Sequence, residues 1–237
     1  MKVGLVLHGL VGSITGKNYQ MMGGSDKVLE HSSEHNIKNI INQYDTDVYV
    51  HTWSVELEEQ INEVYKPVKM EATEQIQFEV PDYIKADHKR AFAHLSRWYS
   101  FMRAVDLISS NDYTHIIVQR FDLVWNVVPK FEEMDPNYVW TGIIPLNHSY
   151  EWCDRWICSS YENMKKFATL YEKIPNYMAT NGDLPSSKQY GGISSHKLTN
   201  HHAKKLALEG KRKYTFGGYS LQQNDYNEVR RQYYGDN

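Results

Sequence analysis

The sequence predicts an α/β fold with a mostly parallel central sheet flanked by helices, and three observations lead to it. A valine- and leucine-rich run, Lys2 to His8, is followed by a glycine-rich stretch, a helical stripe and a second apolar run, which is the opening of a βαβ unit. A third run, HIIVQRFDLVW within residues 113–125, stays apolar until it meets Gln119, Arg120 and Asp122. The strongest amphipathic pattern, Asp87 to Ser110, separates the second and third runs.

In chain order, Lys2 to His8 reads as a buried strand stopped by Gly9. Gly9 to Asp26 holds five glycines, and Lys27 to Tyr44 reads as a helix on the stripe Ile37, Ile40, Ile41 and Tyr44. Asp47 to Thr52 is the second strand. Val55 to Val64 is helical and ends at Tyr65-Lys66-Pro67, and Val68 to Phe78 is extended. In the long helix Phe92, Leu95, Trp98, Tyr99, Met102 and Val105 share one face. Asp106 falls on that face too, so a buried pair with Arg103 is expected. Tyr138 to Pro145 reads as a fourth strand. Ser159 and Glu162 give the S-x-x-E start of a helix running to Ile174. Asn176 to Ile193 reads as irregular, Ser195 to Glu209 as a helix closed by Gly210, and Tyr214 to Tyr219 as a last short strand.

The 237 residues suit one domain with a sizeable core. Lys+Arg 26 against Asp+Glu 29, a formal charge of −3, supplies no basic field for nucleic acid. No apolar run approaches the ~20 residues of a membrane span, and Val3 to Leu7 is too short for a secretory signal, so a cytoplasmic protein is expected. Cys153 and Cys158, the two cysteines, lack zinc or redox spacing and read as buried free thiols.

Several motifs fail on inspection. Gly12-x-x-x-Gly16-Lys17 is one residue short of a P-loop and has Asn18 where the magnesium ligand belongs. His31 and His35 are four apart without the zincin pattern, and no G-x-S-x-G elbow is present. A Rossmann methyltransferase needs G-x-G-x-x-G after the first strand, whereas the chain has Gly9-x-x-Gly12. Arg120-Phe121-Asp122 differs in kind. It delivers a cation and a carboxylate to the carboxyl end of a strand, where open α/β sheets bind ligands. The carboxylate suits a divalent metal on a diphosphate and the arginine suits phosphate. An internal salt bridge stapling the strand end fits the pattern equally well. In Trp152-Cys153-Asp154-Arg155-Trp156 a carboxylate stands between two flat platforms, as at a sugar site. The plainer reading, Asp154 paired with Arg155 at the surface over core tryptophans, leads there.

Separated stretches then converge on one family. KVGLVLHG at the start, YDTDVYVHTW at 44–53, VYKPVKMEATEQIQF at 64–78, HLSRWYSFMRAVDLI at 94–108, YTHIIVQRFDLVW at 113–125 and DRWICSSYENMKKFATLYEKI at 154–174 occur in order. Together they resemble the WavE-like glycosyltransferases of bacterial surface polysaccharide biosynthesis and of phage and viral genomes. The resemblance implies a GT-A-like, Rossmann-like nucleotide-diphospho-sugar transferase fold, with residues 1–125 binding the nucleotide-sugar donor and 126–237 facing the acceptor. It implies transfer of a sugar to a carbohydrate or lipid-linked acceptor in the cytoplasm, the host's if the protein is viral, with Mn2+ or Mg2+ as the implied cofactor. His8, Gly9, His51, Thr52, Trp53, Ser100, Arg103 and Arg120 match donor-binding positions, Asp122 the metal and catalytic position, and Asp154 a catalytic base. The RFD element has one acid where a full D-x-D has two. A nucleotide-sugar- or glycan-binding module without chemistry is the alternative function.

Overall fold

A computed structural model describes residues 1–11, 25–84, 88–123, 125, 128–146, 149–179, 182, 184, 193–208 and 212–214. The glycine stretch from Gly12 to Gly24, with Lys17, lies outside the described residues, as does the last strand expected at Tyr214 to Tyr219 beyond Tyr214 itself.

Strand β1 (Lys2–Gly9) leads towards helix α1 (Ser25–Asn36), which loosens into a π-helical turn at Ile37–Ile41 before β2 (Asp45–Thr52). Helix α2 (Glu58–Tyr65) ends where Lys66 turns left-handed at φ 46°, and β3 (Lys69–Ala72) follows. Then come α3 (His88–Asp106), β4 (His115–Arg120), β5 (Val139–Leu146), β6 (Ser149–Ser159), α4 (Tyr161–Ala168), α5 (Leu170–Met178), α6 (Ser195–Lys205) and β7 (Arg212–Tyr214). Among the described residues seven strands form one sheet in the order β3-β2-β1-β4-β6-β5-β7. The first four are mutually parallel, and β6 runs antiparallel between β4 and β5. The expected α/β class, a mostly parallel sheet flanked by helices, is the one adopted.

Both faces of the sheet are covered, which is why its parallel strands read as continuous apolar runs rather than alternating ones. Val6, Tyr49, Ile116 and Val118 face α3 to α6, while Leu5, Leu7, Val48, Val50 and Ile117 face α1 and α2. A polar network crosses the second layer. Gln119 donates to Asn36 at 3.0 Å, Asn36 donates to the Tyr65 hydroxyl at 3.0 Å, and Trp125 Nε1 donates to Gln119 at 2.7 Å. Asn39 donates to the Trp125 carbonyl, so the segment after β4 is pinned back onto the π-helical turn that follows α1. Cys158 is a free, buried thiol, its pKa pushed up by burial, as expected; the Cys153 side chain is not among those described.

Three expectations are corrected. In α3 the buried face is turned towards Ala91, His94, Phe101 and Ala104, while Phe92, Tyr99 and Met102 are half-buried. Asp106 is therefore exposed and bonds Lys165 at 2.7 Å, and Arg103 pairs with Glu71 instead. Ser160, not Ser159, caps α4, accepting from the Asn163 amide at 3.4 Å, because Ser159 still belongs to β6 and donates to Tyr138 O at 2.9 Å. Residues 149–159, in which no strand is read from the sequence, form β6. Among the described residues no helix is long and apolar enough to cross a membrane.

The two kinds of polar contact should separate in urea unfolding. Asp106→Ala breaks an exposed pair, and a change under about 1 kcal/mol is expected. Asn36→Ala leaves Gln119 and Tyr65 short of a buried partner, and a loss of about 1–3 kcal/mol is expected. Equal effects would contradict the burial assigned to these positions.

Candidate functional site

The carboxyl ends of β1, β2 and β4 lie side by side. The parallel register sets His8 opposite His51 on one side and opposite Arg120 on the other. The chain runs outward from β1 to β2 to β3, then returns to the other flank of β1 as β4. The β1–β4 edge is thus the point where strand order reverses, and the crevice outside such strand ends is where open α/β sheets hold ligands. Antiparallel β6 starts at the same end. Its register pairs Gln119 with Trp156, so Asp154, two residues earlier, falls just beyond Arg120.

Ser100 of α3 joins the first two strand ends. Its hydroxyl accepts from the Gly9 amide at 2.8 Å and lies 2.7 Å from His51 Nδ1. The Gly9 carbonyl takes the Thr52 hydroxyl at 3.0 Å and the Trp53 amide at 3.3 Å. Gly9 has φ +95°, a conformation that a side chain would strain. Ser54 continues the tie by accepting from the Val11 amide at 3.1 Å. Each bond holds the chain leaving β1 against the end of β2.

Both histidines are kept neutral. Burial first, then the charges of Arg97, Arg120 and His51, hold His8 well below the ordinary imidazole value, against a smaller opposing pull from Asp154. Burial lowers His51 to about 4, opposed by Glu71 and assisted by Arg103. Those two charges bond each other, Arg103 Nη2 lying 2.9 and 2.8 Å from the Glu71 oxygens. His8 meets Phe101 edge-on, and His51 meets Trp53 edge-on with ring centres 4.7 Å apart.

The acidic residues are both engaged. Arg120 donates to both oxygens of Asp122, through Nε at 2.7 Å and through Nη2, so the staple between strand end and turn, one of the two readings open from the sequence, is formed. Asp154 does not sit at the surface with Arg155, as the plainer reading had it. It is 8% exposed and binds Arg97 Nη1 at 2.5 Å, with His196 Nδ1 of α6 3.3 Å from its other oxygen. Arg97 also donates to the Asp154 carbonyl. Burial alone would raise the Asp154 pKa; Arg97, His196, Arg120 and a Ser195 hydrogen bond override it and hold the carboxyl well below the usual carboxylate range. So placed, Asp154 is a weak proton acceptor, a poor fit to the base role read from the sequence.

The donor set at Asp122 does not fit a divalent ion in this arrangement. Both its oxygens are taken by Arg120, and among the described residues no three His, Cys, Asp or Glu side chains gather to hold a metal. The structure thus brings together His8, Gly9, His51, Thr52, Trp53, Ser100, Arg120, Asp122 and Asp154. Arg103 stands beside them through Glu71. Arg97 and His196 were missed; they lie 57 and 42 positions from Asp154 and nothing local marks them. A separate groove lined by Ile37, Ile41, Val64 and Val68 lies beside the start of β2, away from these residues.

No family model matches the chain, and no curated protein matches its sequence. The resemblance to the WavE-like group therefore rests on the stretches quoted above. Among solved structures, the chain is similar to the crystal structure of a candidate nucleotide-diphospho-sugar transferase from Desulfovibrio desulfuricans G20. The identity is 10% and the TM-score 0.49, over 98% of this chain and 97% of that one.

Removing the Asp154 charge tests the buried cluster. Asp154→Asn leaves Arg97 without its counter-charge, and a loss of about 3–5 kcal/mol at neutral pH is expected. A depressed carboxyl pKa stabilises fully above the unfolded value of 3.8 and progressively less as pH falls below it. The gap between wild type and variant, read by chemical unfolding, should be full near pH 5 and narrow as the pH falls below about 4. A gap independent of pH would contradict the ion-paired state.

Proposed function

We propose that the chain is a glycosyltransferase of GT-A-like architecture, binding a nucleotide-sugar donor across the carboxyl ends of β1, β2 and β4. The observation that carries this reading is the convergence of His8, His51 and Arg120 at the point where strand order reverses. The ordered resemblance of residues 1–175 to WavE-like transferases points the same way.

In this reading the first half of the chain, to about residue 125, holds the donor, and the second half faces a carbohydrate or lipid-linked acceptor. Developing charge on the leaving diphosphate is stabilised by fixed cations, which act without reorganisation when placed in advance. Arg120, oriented by Asp122, and Arg97, oriented by Asp154, are such groups beside the strand ends. With both Asp122 oxygens engaged, these guanidinium groups do the work that a metal does elsewhere. Asp154 is then a positioning residue for Arg97 and His196.

A second reading, a module that binds nucleotide-sugar or glycan without transfer, is favoured by one observation: Asp122 and Asp154 are each tied up in an ion pair. Donor hydrolysis measured alongside binding separates the two, since only the enzyme releases free diphosphate nucleotide.

Thermal shift with a panel of nucleoside diphosphates tests the proposal. A ligand at about 100 times its Kd stabilises the folded state by about 2.7 kcal/mol, or roughly 5–10 °C for a chain of this size. A shift of that order is expected with at least one nucleotide, equally in EDTA and in manganese, and Arg120→Gln should abolish it. Absence of any shift across the panel would overturn the transferase reading, and a shift seen only with manganese would overturn the cation-based part of it.

A further inference from the structure

The outer edge of β3 carries a charge pattern that complements itself. Among the described residues β3 ends the strand order and bonds β2 alone. The ladder runs one residue further, where the Thr73 amide donates to the Thr52 carbonyl at 3.0 Å. Backbone groups of successive residues point to alternate sides of a strand, so those of Met70 and Ala72 face away from β2. Beyond Thr73 the chain runs to Val80 without a turn or bend. Such an edge is a template for another strand, and charged side chains are the usual guard against that pairing. Here the charges change sign about one residue. Lys69 and Glu71 flank Met70 at one position on either side, and Lys66 and Glu74 flank it at four.

The apolar groups of this edge follow the same centre. Met70 packs with the layer of α1 and α2, while Glu71 bonds Arg103 and Gln75 bonds Ser96, both on α3. Side chains alternate between the faces of a sheet, so the even-numbered positions lie on the side of the groove of about 320 Å³ lined by Ile37, Ile41, Val64 and Val68. On that side Val68 is 52% exposed and Ile76 is 41% exposed. Ile76 lies six residues after Met70, and Val64, in the wall of the groove, lies six before it.

We propose that a second copy of the chain pairs antiparallel with this edge about a two-fold axis at Met70, so that the sheet continues across a homodimer. Lys69 stands opposite Glu71 of the second copy and Lys66 is level with its Glu74, each pair occurring twice because the interface is isologous. Opposite charges across a strand pair are favourable and like charges are not. Glu71 keeps its bond to Arg103, since a carboxylate offers about four acceptor sites and Arg103 Nη2 takes one on each oxygen. Ile76 comes level with Val64 of the second copy, at the groove. Moving the axis to Ala72 sets Lys69 against Gln75, Glu71 against Thr73 and Glu74 against Met70, so the charges select the register. This edge lies on the far side of β2 from Arg120, and pairing there leaves the nucleotide-sugar reading untouched.

Sedimentation velocity on the full chain from about 1 to about 100 μM covers the micromolar dissociation constant expected of an interface this small. Wild type is expected to pass from monomer to dimer across that range. Lys66→Glu and Glu74→Lys, both at exposed positions, each set like charges across the seam twice and should weaken the dimer at least about tenfold. An equal mixture of the two variants regains both opposite-charge pairs and should dimerise as wild type does. Should Lys66→Glu fold poorly, Ile76→Lys, which sets a charge against the apolar groove, takes its place as a single variant with the same expected loss. A wild type that stays monomeric throughout the range, a dimer that the variants leave intact, or a mixture of folded variants that remains monomeric overturns the pairing.

Discussion

The central placement of β1 is the constraint on which the site depends. Parallel pairing on both flanks brings His8 level with His51 and with Arg120, and a slip of one residue would turn every side chain to the opposite face. The register is fixed at the carboxyl end by Ser100, which binds the Gly9 amide and His51 from a helix packed across the sheet. Because Val3, Leu5 and Leu7 are buried on one face and Val6 on the other, the strand has no alternative register that keeps both layers apolar.

Against that frame of apolar strands, the polar side chains concentrate in two places with different consequences. The Asn36–Gln119–Trp125 network is neutral and joins elements of the fold, so it shapes the turn after β4 without offering anything to a ligand. At the strand ends three ion pairs stand close together: Arg97 with Asp154, Arg103 with Glu71, and Arg120 with Asp122. Arg97 with Asp154 is the most buried of the three, and withdrawing such charges from water costs several kcal/mol per ion.

Much of the fold was legible because short valine, isoleucine and leucine runs bounded by glycine or charge allow few alternatives. The phase of α3 was less so. Large side chains at Phe92, Tyr99 and Met102 drew the apparent face towards Asp106, while small Ala91 and Ala104 take the buried positions, where close packing against the sheet favours them. Strand β6 was hidden by Asp154 and Arg155, charges that a local reading assigns to a surface turn; the ion pair with Arg97 is what lets Asp154 be buried in a strand. The site residues at the ends of β1, β2 and β4 showed themselves as apolar runs turning polar. Arg97 and His196 carried no such signal, since their meaning lies in contacts far along the chain with Asp154.

That the three strand ends form one nucleotide site is tested most directly by titrating nitrogen-15-labelled protein with the nucleoside diphosphate that gives the largest thermal shift and following backbone amides. The expected result is that the largest shift changes fall on Gly9, Thr52, Trp53 and Arg120, saturating together with one affinity. Changes clustered instead on Ile37, Ile41 and Val64 at the other groove, or spread without a saturating set, would contradict it.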